Sequence, residues 1–408
     1  MGPVEIKDGV YWVGALDWNV RDFHGYSTPK GTTYNAFLVM DEKIALFDTV
    51  KKPFKHDLID SISKIIDPAK IDYLVVNHVE MDHSGAAPDI VELVRPDKII
   101  CSSMGKKALM DHYGRTDWPY HVVETGHTLD LGKRTVSFLE TRMLHWPDSM
   151  MSYIPEEKLL LSSDGFGQHW ATSQRFDDEV DASELFGHAA KYYANILLLF
   201  SPLVRKLIAK VTEMGLDIDM IAPDHGLIWR KDPAGIIDAY GKWSRQESGR
   251  KALVIYDTMW QATEKMAYAI AEGLKEEGMD FKLLNLKLNH RSDVMTEVLD
   301  SRALVLGSAT INNGIMPTMA DMLSYMKGLR PAGKVGAAFG SYGWSGEAVK
   351  LITEAMLQMD IKLVGEGVRA KYTPKREDLD RCTELGRQIA RAALDLETAG
   401  SFTTSAGT

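Results

Sequence analysis

Cysteine is nearly absent from this chain, with two residues in 408, Cys101 and Cys382. Their scarcity excludes a disulfide framework and any CxxC clamp for zinc or an iron–sulfur cluster, so a metal here must be held by His, Asp and Glu. Long apolar runs are absent too. The longest, residues 194–200 (ANILLLF), is far short of the roughly 20 residues that cross a bilayer and reads as a buried helix. Positive charge is outnumbered, 47 Lys plus Arg against 57 Asp plus Glu. The resulting net charge of −10 argues against a general binder of nucleic acid or of anionic membranes. The opening MGPVEIKDGVYWVG has no basic start followed by an apolar stretch, so no secretory signal and a cytoplasmic location are expected. Neither a GxGxxG nor a Walker lysine occurs, which disfavours a dinucleotide or a triphosphate as ligand.

Residues that are 45% hydrophobic and 25% charged fit a globular protein, and the length fits two or three domains of about 150 residues. Up to about residue 248, short apolar strands alternate irregularly with loops and helices, at 10–13, 34–40, 44–47, 72–76, 98–101, 135–139, 158–161 and 219–222. From Lys251 the rhythm becomes regular. Strands at 252–256, 281–286, 303–307 and 334–339 alternate with helices near 263–277, 294–301, 318–329 and 346–358, and a last helix follows near 377–396. Such alternation predicts a doubly wound parallel sheet, because parallel strands need crossovers that cover both faces. The polar run 244–250 marks the boundary, giving domains at 1–248 and 249–398 and a flexible tail at 399–408.

In the first half, the strand IDYLVV leads into Asn77-His78-Val79-Glu80-Met81-Asp82-His83. An extended stretch would put His78, Glu80 and Asp82 on one side and Val79 and Met81 against the core, with His83 turning in at Ser84-Gly85. His145 in RMLHWPDS, Asp164 in LLLSSDGFG and His225 in MIAPDHG also follow apolar strands, where sites in sheet proteins collect. Singly, each is more often an ordinary loop residue. Four imidazoles and three carboxylates together exceed the needs of one tetrahedral zinc and suit two adjacent metals, with a carboxylate free to bridge.

In the second half, the strand ALVIY runs into Asp257-Thr258-Met259-Trp260-Gln261-Ala262-Thr263 and directly into a helix. A hydroxyl-rich loop entering a helix N-terminus suits a phosphate monoester, hence a mononucleotide such as FMN. Two later loops supply Gly, amide and hydroxyl groups for the polar edge of a ring: Ser308, Thr310, Asn312, Asn313 and Gly314, then Ser341, Tyr342, Gly343, Trp344, Ser345 and Gly346. Trp260, Tyr342 and Trp344 offer planar cover for an isoalloxazine. One Gly- and Ser-rich loop would signify only a turn. Three of them, after the first, third and fourth strands, match FMN contact at a topological switch point.

The HxExDH stretch with the later His, Asp and His resembles the metallo-β-lactamase fold, whose hydrolases usually show HxHxDH. Glu80 in place of an imidazole adds a hard anionic oxygen, which favours iron over zinc. With the flavodoxin-like second half, and with segments such as INNG at 311–314 and FGSYGWSGE, nearly the whole chain resembles the flavodiiron proteins, or A-type flavoproteins. Within that family it is most similar to the rubredoxin:oxygen oxidoreductases of anaerobes. The resemblance implies an α/β chain, an αββα sandwich followed by a flavodoxin-like doubly wound sheet. It implies iron held by His78, Glu80 and His145, a second iron held by Asp82, His83 and His225, and Asp164 bridging them. His24, Tyr26, His169 and Tyr193 are expected to donate hydrogen bonds near a bound diatomic.

The implied activity is reduction of dioxygen to water, or of nitric oxide to nitrous oxide, through FMN. A head-to-tail homodimer, or a dimer of such dimers, is implied because in the family the two cofactors of one chain lie far apart. Without CxxC pairs for a fused rubredoxin, electrons are expected from a separate rubredoxin, and coenzyme F420H2 remains an alternative donor. An acidic rubredoxin calls for a basic surface near the flavin, with Lys371 and Lys375 as candidates. The competing readings are a zinc hydrolase with a passenger flavodoxin domain, and an electron carrier with an inert metal domain.

Overall fold

The structure, a computed structural model, describes residues 2–403. In the first half, alternate residues of each strand face opposite ways, and apolar side chains fill both sides. From the strand Phe37–Val39, Phe37 and Val39 join Val10, Trp12, Phe47 and Val75 in one cluster. Leu38 turns the other way and joins Leu46, Leu74 and Ile99. The first cluster also takes Phe138, Met150, Leu159, Leu161 and Ala222 from a second sheet, so it is the centre of a sandwich. The other cluster packs under the helices Lys55–Ser63 and Ala87–Val94 through Leu58, Ile62, Ile90 and Val91. On the far side, Met151 and Leu160 line a cavity of about 320 Å³ with Leu207, Ile208 and Ile237 from the helices Ser201–Glu213 and Pro233–Ser244. Four layers result, helix, sheet, sheet and helix, as expected.

The first sheet runs, from edge to edge, Val4–Lys7, Val10–Trp12, Phe37–Val39, Ala45–Phe47, Tyr73–Val75, Lys98–Cys101 and Tyr120–Val122. Its last three pairings are parallel. The second sheet has five strands from Thr128–Asp130 to Met220–Ala222. The strand expected at 34–40 is broken. Thr32–Tyr34 pairs with Ala15–Asp17, while Phe37–Val39 enters the main sheet. Buried Asn35 causes the break, since its amide binds the Pro223 and Gly226 carbonyls and accepts from the Trp12 indole.

The second unit is a parallel sheet in the order Asp280–Asn285, Lys251–Asp257, Ala303–Ser308, Val335–Tyr342, then a last strand in two pieces, Lys362–Leu363 and Val368–Lys371. The order reverses beside Lys251–Asp257, so the loops there open a crevice at the carboxyl ends of the strands. By packing, the chain divides into residues up to Tyr193 with Phe200–Gly241, and Ala194–Leu199 with the remainder from Lys242. The boundary therefore falls a few residues before 248. The run 194–200, expected as a buried helix, forms the π-turn Tyr193–Leu197 and the 3-10 turn Leu198–Phe200. It belongs mostly with the second unit because Asn195 donates to the Ser292 carbonyl and accepts from the Tyr325 hydroxyl. The tail expected from 399 is helical to Thr403 in the helix Arg376–Thr403, and residues 404–408 lie outside the described residues.

That last helix packs against Ala262–Glu276 where Gly273 and Gly386 meet, and a Cβ on either would collide with the other helix's backbone. Gly386→Leu is expected to destabilise the second unit by about 1–3 kcal/mol through overpacking, as read by urea unfolding followed by circular dichroism.

Candidate metal centre and cofactor cavity

The residues 77–83 leave the first sheet at the end of Tyr73–Val75 and are held by a buried carboxylate. Asp48 accepts from the main-chain N–H of Asn77 at 2.7 Å and of His78 at 3.3 Å, and from the Asn77 amide at 2.8 Å. The stretch is not extended throughout. After Glu80 it turns into the short helix Met81–Ser84, closed by Ser84 N–H donating to the Glu80 carbonyl. Val79 is buried as expected, but the turn rotates Met81 out to half exposure and brings Asp82 and His83 inward. His225 follows Met220–Ala222, and Asp164 follows Leu159–Leu161. Their two loops are stitched together by Asp224 N–H donating to the Ser163 carbonyl.

All seven candidate ligands converge. Asp164 Oδ2 lies 3.0 Å from His145 Nε2 and 3.3 Å from His78 Nε2. Its Oδ1 lies 3.3 Å from His83 Nε2 and 3.5 Å from His225 Nε2. Glu80 completes the first pair at 3.0 Å from His145 Nε2, and Asp82 completes the second at 3.2 Å from His225 Nε2. Two nests sharing one carboxylate result, His78, Glu80, His145 and Asp164, and then Asp82, His83 and His225. Both oxygens of Asp164 and of Asp82 are buried and lack aligned hydrogen bonds among the described residues. Lone pairs thus point at common spaces between the side chains rather than at each other, which is the arrangement a cation fits.

Two of the imidazoles are anchored from behind, which fixes Nε2 as the inward atom. His78 Nδ1 is 3.0 Å from Asp148 Oδ2, which also accepts from Val79 N–H at 2.7 Å. His225 Nδ1 donates to the Thr33 carbonyl at 2.7 Å, whereas His83 Nδ1 lies 3.7 Å from Asp224 Oδ2, too far for a hydrogen bond. Asp48, Asp148 and Asp224 were not singled out in the sequence. Asp148 and Asp224 stand three and one residues from ligand candidates, which is the signal that would have found them.

The charges hold one another in place. Burial would pull the His83 and His145 imidazoles down, but the carboxylates, chiefly Asp82 for the first and Asp164 for the second, carry them to about 10 and about 9. Burial would raise Asp164, yet the His83 and His145 imidazoles hold it well below the usual carboxylate range. Asp224 goes the other way. Desolvation first, and then Asp48, push it well above.

Around the nests, His24 Nε2 meets Glu80 Oε1 at 2.7 Å while its ring is 66% exposed, so it sits at the mouth. His169 packs 4.8 Å from the His225 ring and 5.2 Å from the Tyr26 ring. Its Nδ1 is 2.7 Å from Thr32 Oγ1, and its Nε2 is buried without a hydrogen-bond partner among the described residues. Tyr193 does not join them. Its hydroxyl is 2.9 Å from Ser201 Oγ and its ring packs on Tyr240. The neighbouring Tyr192 takes the inward place, 6.1 Å from the His225 ring and 5.1 Å from His169.

In the second unit a cavity of about 590 Å³ opens at the switch point. Met259, Trp260, Ala262, Thr310, Asn312, Asn313, Ser341, Tyr342, Gly343, Trp344 and Ser345 line it, as the sequence suggested, together with Ala309, Tyr372 and Thr373, which it did not. Trp260 is 89% and Trp344 85% exposed, a large apolar area left to water unless a flat ligand or a partner covers it. The other candidates lie behind the wall. Thr263 Oγ1 is 2.9 Å from Ser341 Oγ, Ser308 Oγ accepts from Met316 N–H, and Gly314 sits in the ribbon of Thr310–Ile311 with Gly314–Ile315. Gly346 has a φ of 86°, and a Cβ there would crowd the Tyr342 ring. Gln261 takes a left-handed φ of 61° at the start of Ala262–Glu276 and gives it no side-chain cap, while Thr258 Oγ1 is buried with no partner among the described residues. Free N–H groups and an orphan hydroxyl fit a phosphate. Arg369 lies over the Tyr342 ring and Lys371 over Tyr372, giving this rim positive charge, whereas Lys375 N–H serves Asp378.

Comparison with known proteins agrees with this geometry. Residues 32–226 match the ODP family beta lactamase model and residues 254–386 the flavodoxin model. The chain is 52% identical over 396 residues to a nitric oxide reductase of Moorella thermoacetica, covering 96% of this chain and 99% of that one. Its structure is similar to the rubredoxin oxygen:oxidoreductase of Desulfovibrio gigas, with a TM-score of 0.95 and 46% identity over 97% of this chain and 99% of that chain. It is likewise similar to the flavodiiron protein of Giardia intestinalis, with a TM-score of 0.93 and 36% identity over 97% and 98%.

Asp148→Asn should weaken metal binding by roughly 10–100-fold, measured by competition with a chelator, and unchanged affinity would show that His78 needs no anchor. Protons on His83 and His145 persist up to about 10 and about 9 in the metal-free chain, so a metal must displace them and affinity should fall as pH falls. Against its burial, Asp148 and Glu80 hold the His78 imidazole well above its ordinary value too, so loading at pH 7 is expected to release about three protons per chain, counted by calorimetry in buffers of different ionisation enthalpy.

Proposed function

The chain belongs to the flavodiiron protein family, and from that premise we propose that it reduces dioxygen to water, and nitric oxide to nitrous oxide, with electrons passed through FMN from rubredoxin. The observation that carries this reading is the division of seven donors into two nests sharing Asp164. In it, His78, Glu80 and His145 would hold one iron and Asp82, His83 and His225 the other, with Asp164 placed to serve both. Glu80 in a position where an imidazole would suit zinc speaks for iron and against a hydrolase. When bound, the diiron pair and reduced flavin supply the four electrons that take dioxygen to two waters, or the two that couple a pair of nitric oxide molecules.

The chain's own groups supply placement and protons. Tyr192 keeps its phenolic proton because burial, and then the charge of Asp164, push it well above its ordinary value. His169 is held neutral by burial and by His225. Where its Nδ1 accepts from Thr32, Nε2 carries the hydrogen and can donate it. His24 links exposed surface to Glu80 and gives protons an entry. The Phe23 ring, 4.7 Å from His169 and 5.8 Å from His225, limits the water that reaches this side. Around the flavin cavity, Trp260, Tyr342 and Trp344 would cover the flat ring, and Arg369 and Lys371 would favour an acidic donor protein.

Two copies arranged head to tail, or a dimer of such dimers, bring the flavin of one to the metal site of the other in this reading. Among the described residues no helix is long and apolar enough to cross a membrane, and a cytoplasmic location is part of the proposal. Asp164→Asn is expected to cut oxygen and nitric oxide consumption at least about 100-fold, with reduced rubredoxin as donor and reduced F420 in a parallel arm. The FMN absorbance should be unchanged. Undiminished turnover would refute the metal reading.

A further inference from the structure

One lysine of the second unit grips the phosphate loop without belonging to it. The Lys287 ammonium donates to the Thr258 carbonyl at 2.6 Å and stands 3.3 Å from Asp257 Oδ1. Asp257 is buried, and its other oxygen accepts from the Thr318 hydroxyl at the start of the helix Pro317–Leu329. The backbone of Lys287 is fixed as well. Its N–H donates to Asn285 Oδ1 at 2.9 Å, and the Leu286 N–H donates to the Tyr256 carbonyl at 2.9 Å. Three segments at the carboxyl end of the sheet are thereby tied to one carboxylate.

This arrangement answers an electrostatic problem. A phosphate monoester carries close to two negative charges at neutral pH, and Asp257 adds another, buried, one residue before the cradle. Left unpaired, that carboxylate would repel the ligand. Lys287 neutralises it. By donating to the Thr258 carbonyl, the ammonium also polarises the 258–259 peptide and makes the Met259 N–H a stronger donor. In the same loop the Thr258 hydroxyl is buried without a partner among the described residues, and the first turn of Ala262–Glu276 has no side-chain cap. An anion would satisfy both.

We infer that Lys287, held by Asp257, is a positioning residue that sets this chain's preference for the phosphorylated flavin over riboflavin. The inference rests on the FMN reading above, and the test separates the two. The full-length, metal-loaded chain is stripped of flavin and titrated with FMN and with riboflavin, followed by quenching of flavin fluorescence. Failure of the unaltered chain to bind FMN would sink the cofactor reading and this inference with it. Given FMN binding, Lys287→Met should weaken FMN about tenfold and leave riboflavin within about twofold. Lys287→Arg should restore most of the FMN affinity, and added salt should weaken FMN binding less in Lys287→Met than in the unaltered chain. An unchanged ratio of FMN to riboflavin affinity in Lys287→Met, or an equal loss of both ligands, would overturn the inference.

Discussion

Asp164 is a buried carboxylate with four imidazole nitrogens within 3.5 Å, two at each oxygen. Most of the first unit exists to make that possible. Charges taken out of water are costly unless partners surround them, and here the partners come from three other strand ends. The apolar sandwich core fixes where those ends lie. Asp148 and the Thr33 carbonyl turn the imidazoles of His78 and His225 so that Nε2 faces inward. Asn35 shows how far the fold bends to this end. It breaks a strand and ties it to the His225 loop, which brings Thr32 and Thr33 to the ring nitrogens of His169 and His225.

The second unit solves a different problem by different means. Its cavity offers a flat ligand two nearly bare indoles, and its phosphate loop offers backbone N–H groups and hydroxyls, with the one lysine acting from behind. Nothing in it requires sulfur, and nothing in the metal centre does either. The scarcity of cysteine therefore describes the chemistry of both sites, oxygen and nitrogen ligands for the metal and hydrogen bonds for the flavin.

Much of this was legible in the sequence because strand ends are easy to find and the ligand residue types are uncommon there. Those two facts marked His78, Glu80, His145, Asp164 and His225 as candidates, and only their combination and the family resemblance made them a metal site. The short helix Met81–Ser84 was not legible, since four residues carry no helical period, and so alternation misassigned Met81. Tyr192 and Tyr193 are adjacent, and which one faces inward depends on the π-turn that begins at Tyr193, a feature without a sequence signal. The anchoring aspartates escaped because an aspartate beside a histidine in a loop is usually only a turn. Tyr372 and Thr373 reach the flavin cavity from the last strand, beyond the three loops whose composition drew notice.

The central claim is that two nests of nitrogen and carboxylate oxygen, joined by Asp164, hold iron. Metal analysis with Mössbauer spectroscopy, on chain produced in medium supplying both iron and zinc, tests it most directly. The account predicts about two iron atoms per chain in oxygen- and nitrogen-rich, high-spin sites. Zinc filling both nests, together with hydrolysis of an ester or a lactam, would contradict it.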